Sequence, residues 1–383
     1  MNTAWEDVSL KEIAKPVSRL VQVIPGQSYR TIGVKWWGEG AYERETIDGA
    51  RTVAKRLSLV HKDDLIINKI WVRHGSIAIA SSAVDGCAAS GEFPTFELNL
   101  HRVLPQWIHW LTKTRSFWAK CDVLSRGSSG KNRIKPDLFL TIRVPLPAIL
   151  EQERLVMRIE KLASRVNEAQ SLRQEDEVEI RRMLLAAFWR VAKDAPRQRM
   201  GEVAPLVRRP VSVDGIGSYP ELGIRSFGKG TFHKPVLSGI EVGDKRIFRI
   251  EPGDLLFSNV FAWEGAIAVA KTADAGRYGS HRYITCVPKP DVATSRFLWF
   301  YFLTQEGLEQ IRSASPGGAG RNRTLGLAAL EHIQVPIPTM AEQEWFDAIQ
   351  LQVDVLKGSQ AETAAELDAL LPAVLSKAFA GEL

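Results

Sequence analysis

The segment VPLPAILEQE at residues 144–153 recurs almost unchanged as VPIPTMAEQE at residues 335–344. Aligning the chain with itself at an offset of 190 or 191 residues extends this match through glycines, prolines and apolar positions. At that offset GSIAIA at residues 75–80 meets GAIAVA at residues 265–270. Chance does not align so many residues of different types, so the chain is a tandem repeat of one structural unit.

The first part of each copy, about 145 residues, has the pattern of an α+β domain. Short apolar runs typical of strands, such as residues 64–70, 75–80 and 283–287, alternate with glycine-rich turns. One helical stretch interrupts the strands, at residues 104–120 in the first copy and 295–311 in the second. Large side chains three residues apart on this stretch are expected in the core: Trp107, Trp110, Leu298 and Tyr301.

The second part of each copy has the spacing of a long coiled-coil helix. Apolar residues recur at alternating steps of three and four after Pro147 and again after Pro338. About 40 residues at 1.5 Å each give a rod of roughly 60 Å. The simplest arrangement pairs the two helices antiparallel, relates the α+β domains by a pseudo-twofold axis and holds them apart. The seam residues include Leu155, Leu162, Ile180, Leu184, Phe346, Val353, Leu367 and Val374.

The repeat therefore predicts four segments, which also differ in charge. The two α+β domains, residues 1–147 and 196–338, are basic, whereas the long helices occupy residues 148–195 and 339–383. Residues 1–147 hold 21 basic and 14 acidic side chains, a net +7, and residues 339–383 hold 2 and 8, a net −6. Two basic blocks suit two domains that face a polyanion, with ordinary solvated surface charge as the alternative.

The sequence also predicts a reducing, cytoplasmic location. The three cysteines, Cys87, Cys121 and Cys286, lie far apart, which argues against a disulfide framework or a zinc cluster. No apolar run is long enough for a membrane span, and the N-terminus lacks the pattern of a secretory signal.

No motif of a catalytic centre is evident in the sequence. Residues 223–229 match most of a phosphate-binding loop, but Gly230 replaces the magnesium-binding Ser or Thr, and Glu39 stands at the position of Lys229 in the first copy. A turn shared by both copies explains this segment better. The chain has no Pro-Pro pair for an adenine methyltransferase loop, no Asp/Glu-x-Lys for a nuclease, and no histidine pair at zinc-ligand spacing. Together these absences favour a binding protein.

Both copies carry a glycine-rich basic loop at the same point, SRGSSGKNR at residues 125–133 and SPGGAGRNR at residues 315–323. Glycines let backbone N–H groups approach phosphates, basic side chains supply charge, and asparagine either pairs with a base edge or braces the loop. A solvated loop without a ligand is the alternative. The candidate DNA-binding residues here are Arg126, Lys131, Asn132, Arg133, Arg321, Asn322 and Arg323.

Elsewhere the two copies share their pattern of glycines and apolar residues but differ in polar side chains. The segment KIWVRH at residues 69–74 becomes NVFAWE at residues 259–264, and these two stretches are called the tip segments below. Different tips on one scaffold are what two domains reading different half-sites require, whereas drift at unimportant positions is the alternative. The further DNA-binding candidates are Lys35, Trp36, Lys69, Arg73 and His74 in the first copy and Arg225, Lys229, Asn259, Trp263, His281 and Arg282 in the second.

This order of features, duplicated over the whole chain, resembles the specificity subunit of type I restriction–modification systems. The resemblance rests on Pro-x-Pro followed by Glu-Gln and a long helix, on the ending AFAGEL at residues 378–383, and on residues 219–239, which look like a common target-recognition domain. The departures are small: Ala380 stands where the family often has arginine, and the first helix has no equivalent of Gly358.

The resemblance implies a non-catalytic subunit whose two target-recognition domains bind the two halves of an interrupted double-stranded DNA site. It implies that the long helices, with the seam residues named above, dock two methyltransferase subunits, joined by two restriction/translocase subunits where the assembly also restricts DNA. No cofactor is expected on this chain, whereas AdoMet, ATP and Mg²⁺ are expected on the partners. The alternatives are a methylation-only or other phage-defence assembly, a DNA-modifying enzyme with cryptic catalytic residues, and a protein-binding scaffold, which the pI of about 9.2 disfavours.

Overall fold

The computed structural model describes residues 5–125, 132–317 and 323–383. The chain divides into two compact units, unit 1 with Met1–Leu172 and Ala361–Leu383, and unit 2 with Arg173–Gln360. Each unit contains one α+β domain and half of each long helix. The four segments predicted from the repeat are consecutive stretches of sequence, whereas each unit combines parts of both long helices. The boundaries of the four segments remain a prediction.

Unit 1 contains three sheets among its described residues, of order β1-β11, β2-β10-β7-β8 and β3-β6-β9-β4-β5. Neighbouring strands are antiparallel except β4 and β9, which are parallel. The strands are β1 Glu6–Ser9, β2 Ala14–Val17, β3 Leu20–Gln22, β4 Ser28–Val34, β5 Ala41–Asp48, β6 Arg56–Leu59, β7 Leu65–Ile67, β8 Ile77–Ile79, β9 Ala88–Ala89, β10 Thr95–Leu98 and β11 Arg143–Leu146. The helices are α1 Pro105–Leu111, α2 Arg115–Ser125, α3 Pro136–Phe139 and the first half of α4 Ile149–Ala192.

Unit 2 has the same topology, except that the counterpart of the four-stranded sheet has three strands among the described residues. Its five-stranded sheet has the order β13-β16-β19-β14-β15, again with one parallel pair, β14 and β19, and its other sheets are β12-β21 and β18-β17-β20. The strands are β12 Arg197–Arg199, β13 Pro210–Val211, β14 Ser218–Ile224, β15 Thr231–Ser238, β16 Ile247–Arg249, β17 Leu255–Ser258, β18 Ile267–Val269, β19 Tyr278–Ser280, β20 Tyr283–Cys286 and β21 Gln334–Pro336. The helices are α5 Met200–Val203, α6 Gly239–Val242, α7 Ser295–Leu303, α8 Gln305–Ser313, α9 Leu327–His332 and the first half of α10 Met340–Phe379. The duplication of an α+β domain followed by a long helix is confirmed.

The prediction of one uninterrupted helix inside each domain is wrong. The first stretch breaks at residues 112–114, and the second breaks at Thr304. Thr114 Oγ1 accepts the Phe117 N–H at 3.3 Å, and Thr304 Oγ1 accepts the Gly307 N–H at 3.2 Å. A hydroxyl that satisfies the free N–H groups of a following helix favours a new start over continuation, which the apolar spacing does not reveal.

In each unit the two long helices run antiparallel, as predicted. In unit 1, Arg154 Nη2 donates to the Leu383 carbonyl at 3.3 Å, and Gln170 Nε2 donates to Asp368 Oδ1 at 2.9 Å. The ring of Trp107, which is fully buried as expected, lies 4.6 Å from that of Phe379, so the end of α10 completes the core of unit 1.

The core of unit 2 is built in the same way around aromatic rings. Phe188 of α4 lies 5.4 Å from Phe346 of α10 and 5.0 Å from Phe297 of α7, measured between ring centroids. All three side chains are fully buried, and Leu298 and Tyr301 belong to the same core, as predicted. Each α+β domain is therefore packed against one half of each long helix.

A buried glutamine fastens each long helix to its domain. Gln152 Nε2 donates to the carbonyls of Arg102 and Pro147 at 2.9 and 2.8 Å, and its Oε1 accepts the Leu104 N–H at 2.9 Å. Gln343 makes the equivalent three hydrogen bonds, all at 3.0 Å. Both residues have no exposed surface, so every polar atom of the amide needs such a partner. The repeated Glu-Gln motif thus has a structural role.

Each domain also holds one buried carboxylate in a bidentate ion pair. Asp64 accepts from Arg19 at 2.5 and 3.1 Å, and Asp254 accepts from Arg209 at 2.7 and 3.0 Å. Each carboxylate also accepts a backbone N–H at 2.8 Å, so its charge is balanced by the arginine and its oxygens have further hydrogen-bond donors.

The three cysteines are free and buried, and burial raises the pKa of Cys121 and Cys286 to about 12. None of the helices in the described part of the chain combines the length and apolar character needed to cross a membrane.

Candidate nucleic-acid interface

The turn between β4 and β5, residues 35–40, is fixed on the surface of unit 1 by backbone hydrogen bonds. Trp37 has a φ of 59° and Gly38 a φ of 70°, both in the left-handed region. The Trp37 N–H donates to the His74 carbonyl at 2.8 Å, and the Gly38 N–H donates to the Gly75 carbonyl at 2.8 Å. The turn is therefore attached to the segment that holds the predicted tip residues Arg73 and His74.

The turn between β14 and β15, residues 225–230, has the same geometry in unit 2. Phe227 has a φ of 62° and donates its N–H to the Glu264 carbonyl at 2.9 Å, while Gly228 donates to Gly265 at 2.8 Å. No helix follows the turn, because β15 begins at Thr231. The prediction that residues 223–229 belong to a turn shared by both copies is confirmed.

Bulky residues rarely adopt a positive φ, because Cβ then crowds the following carbonyl. The conformation costs about 1–3 kcal/mol at each of Trp37 and Phe227. Gly38 avoids that cost, and a Cβ there would also come within 2.7 Å of Lys113 Cγ. Lys113 is itself partly buried, which lowers the pKa of its ammonium. The turn therefore requires glycine at residue 38 but is strained at residue 37.

A second backbone junction brings the end of the predicted glycine-rich loop and the turn at Glu92 to the candidate residue Lys69. The Lys69 N–H donates to the Glu92 carbonyl at 3.0 Å, and the Lys69 carbonyl accepts the Ile134 N–H at 3.0 Å. Ile134 directly follows Asn132 and Arg133, the described end of the glycine-rich loop.

Unit 2 has the same junction with different side chains. The Asn259 N–H donates to the Arg282 carbonyl at 2.8 Å, and the Asn259 carbonyl accepts the Leu325 N–H at 2.8 Å. His281 and Arg282 form the exposed turn between β19 and β20, and Arg323 ends the second glycine-rich loop. In both units the structure thus brings the loop end, the tip segment and the adjacent turn together.

Unit 1 presents a cluster of aromatic rings beside this junction. Trp36 lies 4.9 Å from Trp71 and 5.8 Å from His74, and Trp37 lies 5.8 Å from His74 and 5.6 Å from Trp118, measured between ring centroids. Trp36 and Trp37 are 45% and 54% exposed, so the cluster offers apolar and π surface to solvent. Such surface suits contact with bases better than contact with phosphates.

The loop arginines of the two units are held differently. Arg133 forms an ion pair with Glu92, and both side chains remain partly exposed. Arg282 stands at the position of Glu92 in unit 2, where Arg323 lies over the ring of Trp263 at 5.4 Å. A carboxylate therefore orients the first arginine and an aromatic face orients the second, which changes the local charge by two units between the copies.

The remaining DNA-binding candidates that the structure describes lie on the two turns and in the segment of residues 69–74. Lys35 lies 5.9 Å from the ring of Tyr42, and Arg225 lies 5.0 Å from the ring of Phe232. Arg73 Nε donates to His74 Nε2 at 3.1 Å, and Lys229 is exposed. Arg126, Lys131, Arg321 and Asn322 lie outside the described residues. Sequence reasoning missed Trp37 and Phe227, although both are aromatic, aligned at the repeat offset and followed by glycine.

The predicted pairing of the long helices through the seam is confirmed within each unit, whereas a role of these helices in binding partner proteins remains a prediction. Leu155 and Phe346 are fully buried, and Leu184 and Val353 are 9% and 7% exposed, because these four side chains pack inside their own units. Leu162, Ile180, Leu367 and Val374 are half-buried, so any docking on the helices uses their outer faces.

Within residues 5–125, 132–317 and 323–383, no group of three or more His, Cys, Asp or Glu side chains is arranged to hold a metal ion. Burial lowers the pKa of His109, a partly buried residue of α1, to about 4.

Comparison with solved structures finds the same fold along the whole chain. The chain is similar to the HsdS subunit from Thermoanaerobacter tengcongensis, with 23% identity, a TM-score of 0.59, and coverage of 100% of this chain and 98% of that one. A chain from a structure concerned with complex assembly and conformational transition of the type I R-M system gives 22% identity, a TM-score of 0.70, and coverage of 100% and 99%. The type I restriction–modification S subunit from M. genitalium gives 12% identity, a TM-score of 0.51, and coverage of 99% and 97%.

The predicted architecture, two α+β domains with two long helices, is therefore the fold of these subunits. No protein-family model matches the sequence. No curated protein matches it either.

Proposed function

We propose that this chain is the DNA sequence-recognition subunit of a type I restriction–modification system, a non-catalytic protein that binds a bipartite site in double-stranded DNA. One observation carries the proposal. The same strained turn, tip segment and loop end converge in both units, while the side chains that they expose differ. Two domains that read different half-sites need the same backbone framework with different exposed side chains, which is the arrangement seen here.

The chemistry of the two surfaces supports DNA as the ligand. The exposed cations Lys35, Arg225 and Lys229 provide phosphate contacts, which set the affinity and make it steeply dependent on salt. Asn259, Arg133 and the aromatic cluster present hydrogen-bonding and apolar groups of the kind that recognise base edges. The ion pair with Glu92 limits the freedom of Arg133, which favours a directed contact over a diffuse one.

The long helices complete the proposal. Their exposed faces are the surfaces on which two methyltransferase subunits dock in the proposed assembly, with two restriction/translocase subunits where the assembly restricts DNA. AdoMet, ATP and Mg²⁺ belong to those partners, so the chain itself needs no cofactor, and the assembly works in the cytoplasm. The similar chain from the study of type I R-M complex assembly supports this arrangement by its shared fold.

The test uses the assembled methylase, purified after co-expression of this chain with its methyltransferase subunit. Mapping methylated adenines in cells with and without this gene identifies the site, and a duplex of about 30 base pairs carrying that site then serves as the probe. Arg133→Ala and Arg323→Ala should each weaken binding to the site more than tenfold, because each removes a directed contact to a base edge. Arg51→Ala and Arg246→Ala, exposed arginines outside the converging segments, are the matched controls.

Unchanged binding in both loop variants would remove these arginines from the site. Absence of site-dependent methylation in cells that carry the gene would contradict the proposal as a whole. A catalytic role is tested separately by incubating the isolated chain with DNA, AdoMet, ATP and Mg²⁺. A recognition subunit transfers no methyl group and cuts no DNA alone, so either product would overturn the non-catalytic assignment.

A further inference from the structure

Trp37 and Phe227 adopt the same unfavourable backbone conformation at the same point of the two copies. Their φ angles are 59° and 62°, in the left-handed region, which glycine and asparagine adopt readily and bulky residues rarely do. Each is followed by a glycine that shares the left-handed conformation. Glycine or asparagine at these positions would therefore relieve the backbone strain.

Hydrogen bonds and not the rings hold the turn in place. In each unit the aromatic residue and the following glycine donate their N–H groups to two successive carbonyls of the tip segment, at 2.8–2.9 Å. These bonds involve only the backbone, so asparagine or glycine at the aromatic position could make them equally well. The aromatic side chain is not needed to form the turn.

Burial of the side chain does not explain why an aromatic residue occupies each of these positions. Phe227 is 73% exposed and Trp37 is 54% exposed. A large apolar side chain that is both strained and left in water stabilises the free chain little, and strain of this kind is usually found at functional sites. Trp37 gains some packing against Trp118 and His74, which makes Phe227 the clearer case.

We infer that Trp37 and Phe227 are base-contacting residues, one for each half of the bound site, whose rings pack against the bases. The inference rests on the proposed function and deepens it. Lys35 and Arg225 lie two residues before the rings, so each ring has a cation that suits phosphate contact close to it in the sequence. The apolar surfaces of DNA are base faces and thymine methyl groups, and these are what an aromatic tip can bind.

The experiment compares Phe227→Asn with wild type in the assembled methylase. Asparagine tolerates the positive φ and keeps the turn. The probes are a duplex carrying the mapped site and a scrambled duplex of the same length. We expect at least a tenfold loss of affinity for the site, an unchanged affinity for the scrambled duplex, and an unchanged salt slope, because no phosphate contact is lost.

Two controls separate this inference from the proposed function. Lys229→Ala, which removes a cation from the same turn, should lower the affinity for both duplexes and reduce the salt slope by about 1. Ile240→Asn removes an apolar side chain that is 81% exposed elsewhere in unit 2, and it should change neither quantity. Trp37→Asn and Val53→Asn provide the same comparison in unit 1.

Site affinity of Phe227→Asn equal to wild type, together with the expected effect of Lys229→Ala, would overturn the inference and leave the proposed function intact. If wild type binds the two duplexes equally, both fail. Phe227→Gly guards against misfolding, since it relieves the strain completely. A lowered Tm in both Phe227 variants, with loss of binding to both duplexes, would show that the ring is structural and would also overturn the inference.

Discussion

Gln343→Met should weaken the attachment of the long helix α10 to the domain of unit 2 and destabilise that unit. Methionine has nearly the volume of glutamine, so the change removes hydrogen bonds without opening a large cavity. Gln343 is fully buried and bonds the carbonyls of Val292 and Pro338 and the N–H of Thr294. Thr294 also caps α7 through its side chain, so the glutamine connects the starts of two helices.

The magnitude follows from the groups left behind. The Thr294 N–H is a donor with no second bonding direction, and leaving it without a partner costs about 1–3 kcal/mol. Each carbonyl loses one of two lone-pair partners, at about 1 kcal/mol apiece. The sum is about 3–5 kcal/mol, a large share of the 5–15 kcal/mol that stabilises a typical domain. At roughly 2–4 °C per kcal/mol for a unit of this size, Tm should fall by about 10 °C.

Scanning calorimetry of the full chain measures this change, with urea unfolding as a second readout. Gln174→Met is the matched control, because Gln174 is an exposed glutamine of a long helix and should change Tm by less than about 1 °C. Gln152→Met should reproduce the effect in unit 1, where the same three bonds exist. A loss below about 1 kcal/mol in both buried variants would refute the reasoning that these amides fasten the helices.

Three further predictions concern stability, pH and spacing. Asp254→Asn leaves Arg209 without its bidentate partner and should destabilise unit 2 by about 2–4 kcal/mol in urea unfolding. Glu179→Gln in an exposed ion pair should lower the free energy of unfolding by less than about 1 kcal/mol. Equal effects of the two variants would contradict the role of burial. Burial raises the pKa of Asp347 to about 6, so the folded chain binds a proton that the unfolded chain releases, and its contribution to stability falls as the pH rises from about 4 to about 6. Asp347→Asn should therefore stabilise the chain at pH 7.5 by up to about 3 kcal/mol and by much less near pH 4, and a gain independent of pH would argue against this assignment. Seven residues inserted in both long helices, after residues 172 and 360, add about 10 Å of rise, and methylation mapping should then find half-sites about three base pairs further apart, or no assembly; an unchanged site would refute the helices as the spacer.

Much of the fold was predictable because its signals are local and repeated. The offset of 190–191 residues aligns glycines, prolines and apolar positions, and the helical spacing after Pro147 and Pro338 predicts α4 and α10. The buried aromatic residues at steps of three were correctly placed in the core. The helix breaks at residues 112–114 and 304 were missed, because they depend on a hydroxyl that caps the next turn and not on apolar periodicity.

The candidate site was only partly predictable. The sequence pointed to the glycine-rich loops, the tips at residues 69–74 and 259–264, and the basic flanks as separate segments. Their convergence depends on backbone hydrogen bonds between residues far apart in the chain, such as those of Lys69 and Asn259. Trp37 and Phe227 stood out only when their φ angles were known, because nothing in their identity shows a strained turn.

By itself, the sequence determined that the protein is a duplicated α+β domain with two long helices, since repetition and period are properties of residue order. Tertiary structure decided which side chains are available. It buried Leu155 and Phe346 inside their own units and left two strained aromatic residues in solvent. It also placed the repeated glutamines where they hydrogen-bond each long helix to its domain. The physical reason is that burial and hydrogen bonding depend on partners distant in sequence, which apolar spacing along one segment cannot specify.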